Sequence, residues 1–127
     1  MTLKKFVTWE MVEEFVDGVI DTYKDANLTG VYGLPRGGLV FAVMISNRLH
    51  IPMLGAPTKG CLVVDDICDT GESLIHYQNN SSGDGKGYLT ATMFYKDNRL
   101  AVKPDYYMFI KLNDWIVFPW EEKEEKE

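Results

Sequence analysis

The sequence predicts a single α/β domain built on a mostly parallel, twisted sheet flanked by helices, and three observations carry that expectation. Strand-like and helix-like segments alternate from Gly30 to Tyr95. The strand-like segments are short apolar runs, as strands covered on both faces are. Two of them end in glycine-bearing breaks, Leu34 to Gly38 and Asp65 to Gly71, that open into helical patterns. This order implies right-handed crossovers with helices on both faces. It also puts both breaks at carboxyl ends of strands, on one rim, where such sheets bind ligands. A chain of 127 residues, 46% of them hydrophobic, fills one core of that kind and not two.

The elements follow in order. Thr8 is an N-cap for a first helix, with Met11, Val12, Phe15, Val16, Val19 and Ile20 at helical spacing, ending near Tyr23. Gly30 to Leu34 is a short buried strand, and Pro35-Arg36-Gly37-Gly38 breaks the chain after it. Leu39 to Leu49 reads as a helix apolar over most of its surface. Ile51 to Leu54 is a short edge strand, because Pro52 removes a ladder donor. Gly55 to Gly60 is a connection, and Cys61-Leu62-Val63-Val64 is the clearest strand in the chain. Glu72 to Asn79 reads as a helix, and Asn80 to Gly87 as a polar loop dense in breakers. Leu89 to Tyr95, Tyr106 to Leu112 and Trp115 to Phe118 are the remaining strands. Residues 1–120 form the domain, and 121–127 read as a solvated acidic tail with no apolar residue to dock.

The formal net charge is −6, of which the tail supplies −3 through five acids and two bases. That balance does not suggest nucleic-acid binding. No apolar run approaches membrane-spanning length, and no apolar segment with a cleavage site follows Lys4 and Lys5, so the expected address is cytoplasmic, with no membrane partner. Cys61 and Cys68 then read as reduced, buried thiols rather than a disulfide. His50 and His76 belong to no metal-ligand spacing and read as structural.

The chemistry concentrates in Val63-Val64-Asp65-Asp66-Ile67-Cys68-Asp69-Thr70-Gly71-Glu72-Ser73. The strand delivers two adjacent carboxylates to the rim. The following residues wrap into a helix start, where free N–H groups and the helix dipole favour an anion. Gly71 admits close approach, and Thr70 and Ser73 add hydroxyl donors to phosphate oxygens. Asp65 and Asp66 cannot hold phosphate directly. They suit ribose hydroxyls, or a Mg²⁺ that bridges to pyrophosphate. A ligand with sugar hydroxyls between a terminal phosphate and a diphosphate meets all of these groups. Arg36, Gly37 and Gly38 offer a charged donor and backbone N–H groups at the other break, although a tight turn would use the same residues.

The eleven-residue run closely resembles the signature by which type I phosphoribosyltransferases bind 5-phosphoribosyl-1-pyrophosphate (PRPP), with Ser73 where threonine is commoner. Gly33-Leu34-Pro35-Arg36-Gly37-Gly38 resembles the pyrophosphate loop of the purine enzymes in that family. The resemblance implies a cis peptide bond entering Arg36. It implies a PRPP site made by Asp65, Asp66, Asp69, Thr70, Gly71, Glu72, Ser73, Arg36, Gly37 and Gly38. Mg²⁺ would be held by Asp65 and Asp66, directly or through water. Asp69 and Arg36 would be catalytic, Asp69 taking the proton lost when the purine nitrogen bonds to ribose.

Met93-Phe94-Tyr95-Lys96 and Asn113 to Trp120 resemble the base site of xanthine-guanine phosphoribosyltransferases. By that likeness Lys96 donates to a 6-oxo group, Trp115 stacks on the purine, and the carbonyls of Trp115 and Ile116 read its other edge. Trp115 and Trp120 would serve equally as core, and Lys96 as a solvated strand end. The family's long lid between the second and third core strands is reduced here to the six residues Gly55 to Gly60, in which Lys59 is the candidate stand-in. The resemblance further implies a reduced hood and a homodimer or higher homo-oligomer. Two functions follow: a purine phosphoribosyltransferase acting on xanthine, guanine or hypoxanthine, or a non-catalytic module binding PRPP or a nucleotide. A receiver-like phosphorylation domain fits poorly, since Asp-Thr-Gly-Glu-Ser after the acidic pair makes a phosphate loop.

Overall fold

The computed structural model describes residues 3–68, 87–96, 103–111 and 113–121. Within them run β1 (Lys4–Phe6), α1 (Trp9–Tyr23), β2 (Val31–Gly33), α2 (Gly37–Leu49), β3 (Leu62–Cys68), β4 (Leu89–Tyr95), β5 (Tyr106–Ile110) and β6 (Trp115–Val117). A single 3-10 turn follows at Pro119–Glu121. The expected helix from Glu72 to Asn79, and most of the loop behind it, lie outside the described residues.

The sheet is parallel throughout, in the order β2-β3-β4-β5. The expected edge strand at Ile51 to Leu54 is reduced to one bridge, Met53 beside Val31. Pro52 accepts from the Val31 N–H through its carbonyl, and Leu54 donates to the Val31 carbonyl, so two bonds are all that this edge makes with β2. The chain thus leaves β2 through α2 toward one edge and leaves β3 toward the other. That reversal opens a crevice at the carboxyl ends of β2 and β3.

α1 starts where its cap places it. The Thr8 hydroxyl accepts from the Met11 N–H at 3.1 Å, and Val12, Phe15, Val16 and Val19 are fully buried. α2 begins two residues earlier than its apolar run, at Gly37, and ends on His50, which takes the left-handed conformation of a helix cap (φ 57°). β3 runs four residues past Val64. The ladder with β4 continues through Asp65↔Thr92, Ile67↔Phe94 and Cys68↔Tyr95, so both acids and Cys68 sit on the strand rather than in a loop after it. Both cysteines are free and buried, as expected.

β1 has no counterpart in the sequence reading. Three residues with one lysine pair carry no periodic signal, and the strand exists only because β6 lies beside it in parallel register, Lys4↔Trp115 to Phe6↔Val117. This small second sheet is the reduced hood. Aromatic packing ties it to the helices. Phe41 of α2 meets Phe15 edge-on at 5.0 Å, Trp120 at 5.5 Å and Phe118 at 6.4 Å, while Phe118 and Trp120 stack at 5.0 Å. Each buried ring contributes about 1.5–3 kcal/mol, and together they return the carboxyl-terminal residues to the start of α2. At the opposite end of the sheet, Asp105 Oδ2 accepts from both the N–H and the hydroxyl of buried Thr90, which locks β5 against β4. Among the described residues no helix is long and apolar enough to cross a membrane.

Candidate active site

The two breaks meet. β3 places Asp66 on the face that α2 covers, and the first residue of α2 sits on its carboxylate: a Cβ added to Gly37 would lie 2.0 Å from Asp66 Oδ2. A Cβ on Gly38 would lie 2.3 Å from the Val64 carbonyl. Only glycine lets the loop after β2 close over β3 in this way. The Pro35–Arg36 peptide bond is cis. The Gly38 N–H donates to the Leu34 carbonyl at 2.9 Å, so it is not the ligand donor the sequence suggested. The Arg36 guanidinium and the Gly37 N–H are the loop's candidate donors.

The acidic pair is held by its own backbone. Asp65 Oδ1 accepts from the Asp66 N–H and Asp66 Oδ1 from the Ile67 N–H, each at 2.8 Å. Burial first and the charge of Asp66 second push the Asp65 carboxyl up to about 8. Two carboxylates so placed favour whatever brings positive charge or hydroxyl donors to them.

Two cavities open on this rim. The larger, about 390 Å³, is walled by Arg36, Gly37, Asp65, Asp66, Trp120 and Glu121. The smaller, about 280 Å³, is walled by Asp66, Lys111, Asp114, Trp115, Ile116 and Glu121, among others. Asp66 and Glu121 border both, so the two are neighbouring compartments of one site. Among the described residues no three His, Cys, Asp or Glu side chains form a cage for a metal. A pair of carboxylates beside a cavity fits Mg²⁺ all the same, because that ion keeps its waters and takes one or two protein oxygens together with substrate phosphates.

The sequence-predicted residues fall into three groups. Arg36, Gly37, Asp65 and Asp66 come together at the larger cavity, and Trp115 and Ile116 at the smaller. Trp115 is 59% exposed, so its indole is available to a ligand rather than committed to the core. Its N–H donates to the Leu3 carbonyl and the Val7 N–H donates to the Val117 carbonyl. The alternation of a parallel ladder therefore turns the Trp115 carbonyl toward β1, leaving only the peptide of Ile116 directed away from it. Lys96 follows β4, with its N–H on the Cys68 carbonyl, and is not among the residues that line either cavity. Asp69, Thr70, Gly71, Glu72 and Ser73 lie outside the described residues.

Lys59 does not stand in for a lid. Its carbonyl accepts from the Thr29 hydroxyl, and its neighbour Gly60 bonds to Thr29 and Gly87. These residues precede β2, β3 and β4, so the 55–60 connection lies at the amino end of the sheet, a strand length (roughly 20 Å) from the acids.

Four residues of the site went unread in the sequence. Trp120 was left undecided and Glu121 assigned to the tail, yet Glu121 is fixed: its Oε1 accepts from the Phe118 N–H at 3.1 Å, and its own N–H donates to the Phe118 carbonyl. Lys111 directly follows β5 and Asp114 directly precedes β6; Asp114 falls within the Asn113 to Trp120 run read as the base site, but neither residue was singled out. The one available signal was their closeness in sequence to Trp115.

No protein-family model matches the sequence, and no curated protein matches it. Among solved structures, a purine phosphoribosyltransferase from Pyrococcus horikoshii Ot3 superposes with a TM-score of 0.75 at 28% identity, covering 93% of this chain and 94% of that one. A Helicobacter pylori xanthine-guanine-hypoxanthine phosphoribosyltransferase gives 0.74 at 21% identity over 97% of each chain. A hypothetical protein from Neisseria gonorrhoeae with bound ppGpp gives 0.69 at 15% identity, covering 99% of this chain and 96% of that one.

Proposed function

The chain takes the type I phosphoribosyltransferase fold, and from that premise we propose that it transfers the 5-phosphoribosyl group of PRPP to a 6-oxopurine and releases pyrophosphate. The observation that carries the reading is the contact of Gly37 with Asp66. It sets a cationic, glycine-built loop and an acidic pair against one cavity, with an indole-walled second cavity sharing two of its residues.

In this reading Arg36 and the Gly37 N–H hold the pyrophosphate of PRPP, and Asp65 and Asp66 hold the ribose hydroxyls. The segment Asp69, Thr70, Gly71, Glu72 and Ser73 receives the 5-phosphate through its backbone N–H groups and the hydroxyls of Thr70 and Ser73. Asp65 and Asp66 would hold Mg²⁺, directly or through water, and the ion would supply charge neutralisation for the leaving pyrophosphate. The base lies on Trp115, with Ile116 at its edge, while Lys96, the donor the sequence offers to its 6-oxo group, lines neither cavity. The bond from C1 of ribose to pyrophosphate breaks, a bond from a purine nitrogen to C1 forms, and the proton that nitrogen loses passes to Asp69. Arg36 stabilises the departing charge, and catalysis is positioning and electrostatics without a covalent enzyme intermediate.

A Mg²⁺-dependent turnover assay with PRPP and hypoxanthine, guanine or xanthine, reading nucleotide and pyrophosphate together, tests the proposal. Formation of a nucleotide supports it, and absence of turnover with all three bases defeats it. One observation favours a second reading, that of a module that binds PRPP or a nucleotide without turning it over. The 55–60 connection lies at the far end of the sheet and leaves the site without that cover from water. Calorimetric binding of PRPP without turnover would select this reading. The transferase reading includes a second copy of the chain as cover, which sedimentation at assay concentration measures.

A further inference from the structure

We propose that Lys111 and Asp114 are the specificity-determining pair of the smaller cavity and that together they select guanine over xanthine. The inference rests on the purine reading above and deepens it.

Lys111, just after β5, and Asp114, just before β6, line that cavity. Lys111 is anchored where β5 ends, its N–H on the Tyr95 carbonyl at 2.8 Å, and Asp114 immediately precedes Trp115. An ammonium donor and a carboxylate acceptor are therefore presented a few residues apart, beside the indole that carries the base. Three carboxylates border the cavity, but two are committed. Asp66 is packed on Gly37 and accepts from the Ile67 N–H, and Glu121 accepts from the Phe118 N–H. Asp114 has no hydrogen-bond or ion-pair partner among the described residues, is half-buried, and borders the smaller cavity and not the larger.

The edges of the candidate bases differ where these groups differ. All three carry the 6-oxo acceptor that an ammonium recognises. Guanine places N–H and amino donors next to it, which a carboxylate accepts as charge-assisted bonds. Xanthine places an oxo group where guanine has the amino, and a carboxylate repels it. Hypoxanthine places nothing there. The Ile116 peptide, turned away from β1, adds a second carbonyl acceptor to the same wall. A wall with one donor and two acceptors matches guanine and opposes xanthine.

The test measures kcat/KM for guanine, xanthine and hypoxanthine on wild type, Asp114→Asn and Lys111→Gln, with PRPP binding by calorimetry as the check that each variant is folded. Wild type is expected to prefer guanine. Asp114→Asn is expected to lower the guanine-to-xanthine ratio by about tenfold or more, since the amide donates to the 2-oxo group and the lost bond is charge-assisted. Hypoxanthine should change little. Lys111→Gln should slow all three bases alike. A wild type that prefers xanthine, or an Asp114→Asn variant with an unchanged ratio, overturns the proposal. If no base is turned over, the transferase reading fails by itself. The pair is then judged by calorimetry with guanosine and xanthosine 5′-monophosphates: an unchanged affinity ratio in Asp114→Asn, or no binding of either nucleotide, overturns it as well.

Discussion

Gly37→Ala isolates the contact on which the site is built. The added methyl would lie 2.0 Å from Asp66 Oδ2 and 2.5 Å from its carboxyl carbon. An ordinary carbon–oxygen contact is about 3.3 Å or longer, so roughly 1.3 Å must be found. Two responses are open. Asp66 can rotate away and give up the bond from the Ile67 N–H, which costs about 1.5–3 kcal/mol for a charged acceptor. Otherwise the loop lifts and carries Arg36 off the acidic pair. Alanine's preference for helix over glycine returns up to about 1 kcal/mol. The net loss of stability is then about 0.5–2 kcal/mol, a fall in Tm of about 2–10 °C for a domain of this size. Either response misplaces groups that should act on one ligand by about 1 Å, which costs on the order of 100-fold in turnover, or about 2.7 kcal/mol. The assay is kcat/KM for PRPP beside the thermal midpoint. Gly55→Ala serves as control, because no atom lies within 4 Å of its added methyl. A Gly37→Ala protein with wild-type kcat/KM and an unchanged Tm would refute the reasoning.

Three further outcomes are expected. The Asp65 carboxyl, raised to about 8 by burial and by Asp66, titrates near 4 in an unfolded chain (roughly). The folded state therefore holds its proton to higher pH, and stability present below pH 4 or so is lost as pH rises through about 8. Asp65→Asn in metal-free buffer should accordingly raise Tm by nothing near pH 4 and most above about pH 8, and a pH-independent difference would contradict this. Trp115→Ala, at an exposed position, should leave Tm and the KM for PRPP unchanged and raise the KM for the base about 5- to 150-fold, from about 1–3 kcal/mol of stacking. Asp105→Ala strips two hydrogen bonds from buried Thr90 and should cost about 2–4 kcal/mol in denaturant unfolding, with turnover per folded molecule unaltered.

Much of the fold was legible because its signals are local. The cap at Thr8, the helical spacing through Ile20 and the apolar run into Asp65 each depend on a few neighbouring residues, and each element stands where its pattern put it. The pairing of a glycine-rich break with an acidic break was legible too, since parallel topology sends both to one rim. The element ends were not. β3 continues through two acids because β4 supplies a ladder beyond them, and Pro52 left Ile51 to Leu54 with a single bridge.

Sequence alone determined that this chain makes a parallel sheet with a glycine-broken, acid-bearing rim, because hydrophobic period, glycine placement and capping are properties of short segments. Tertiary structure decided which residues share that rim with the acids. Glu121 reads as the start of a charged tail until stacked Phe118 and Trp120, packed on Phe41, bring it back to α2. Lys111 and Asp114 become cavity walls only when β6 pairs with β1, whose partner residues lie at the other end of the chain. Lys59, six residues before Asp65 in sequence, ends a strand's length from the site, because β3 runs away from it. Contacts closed across most of the chain leave no periodic trace in either segment, and they are what turned a binding rim into two compartments.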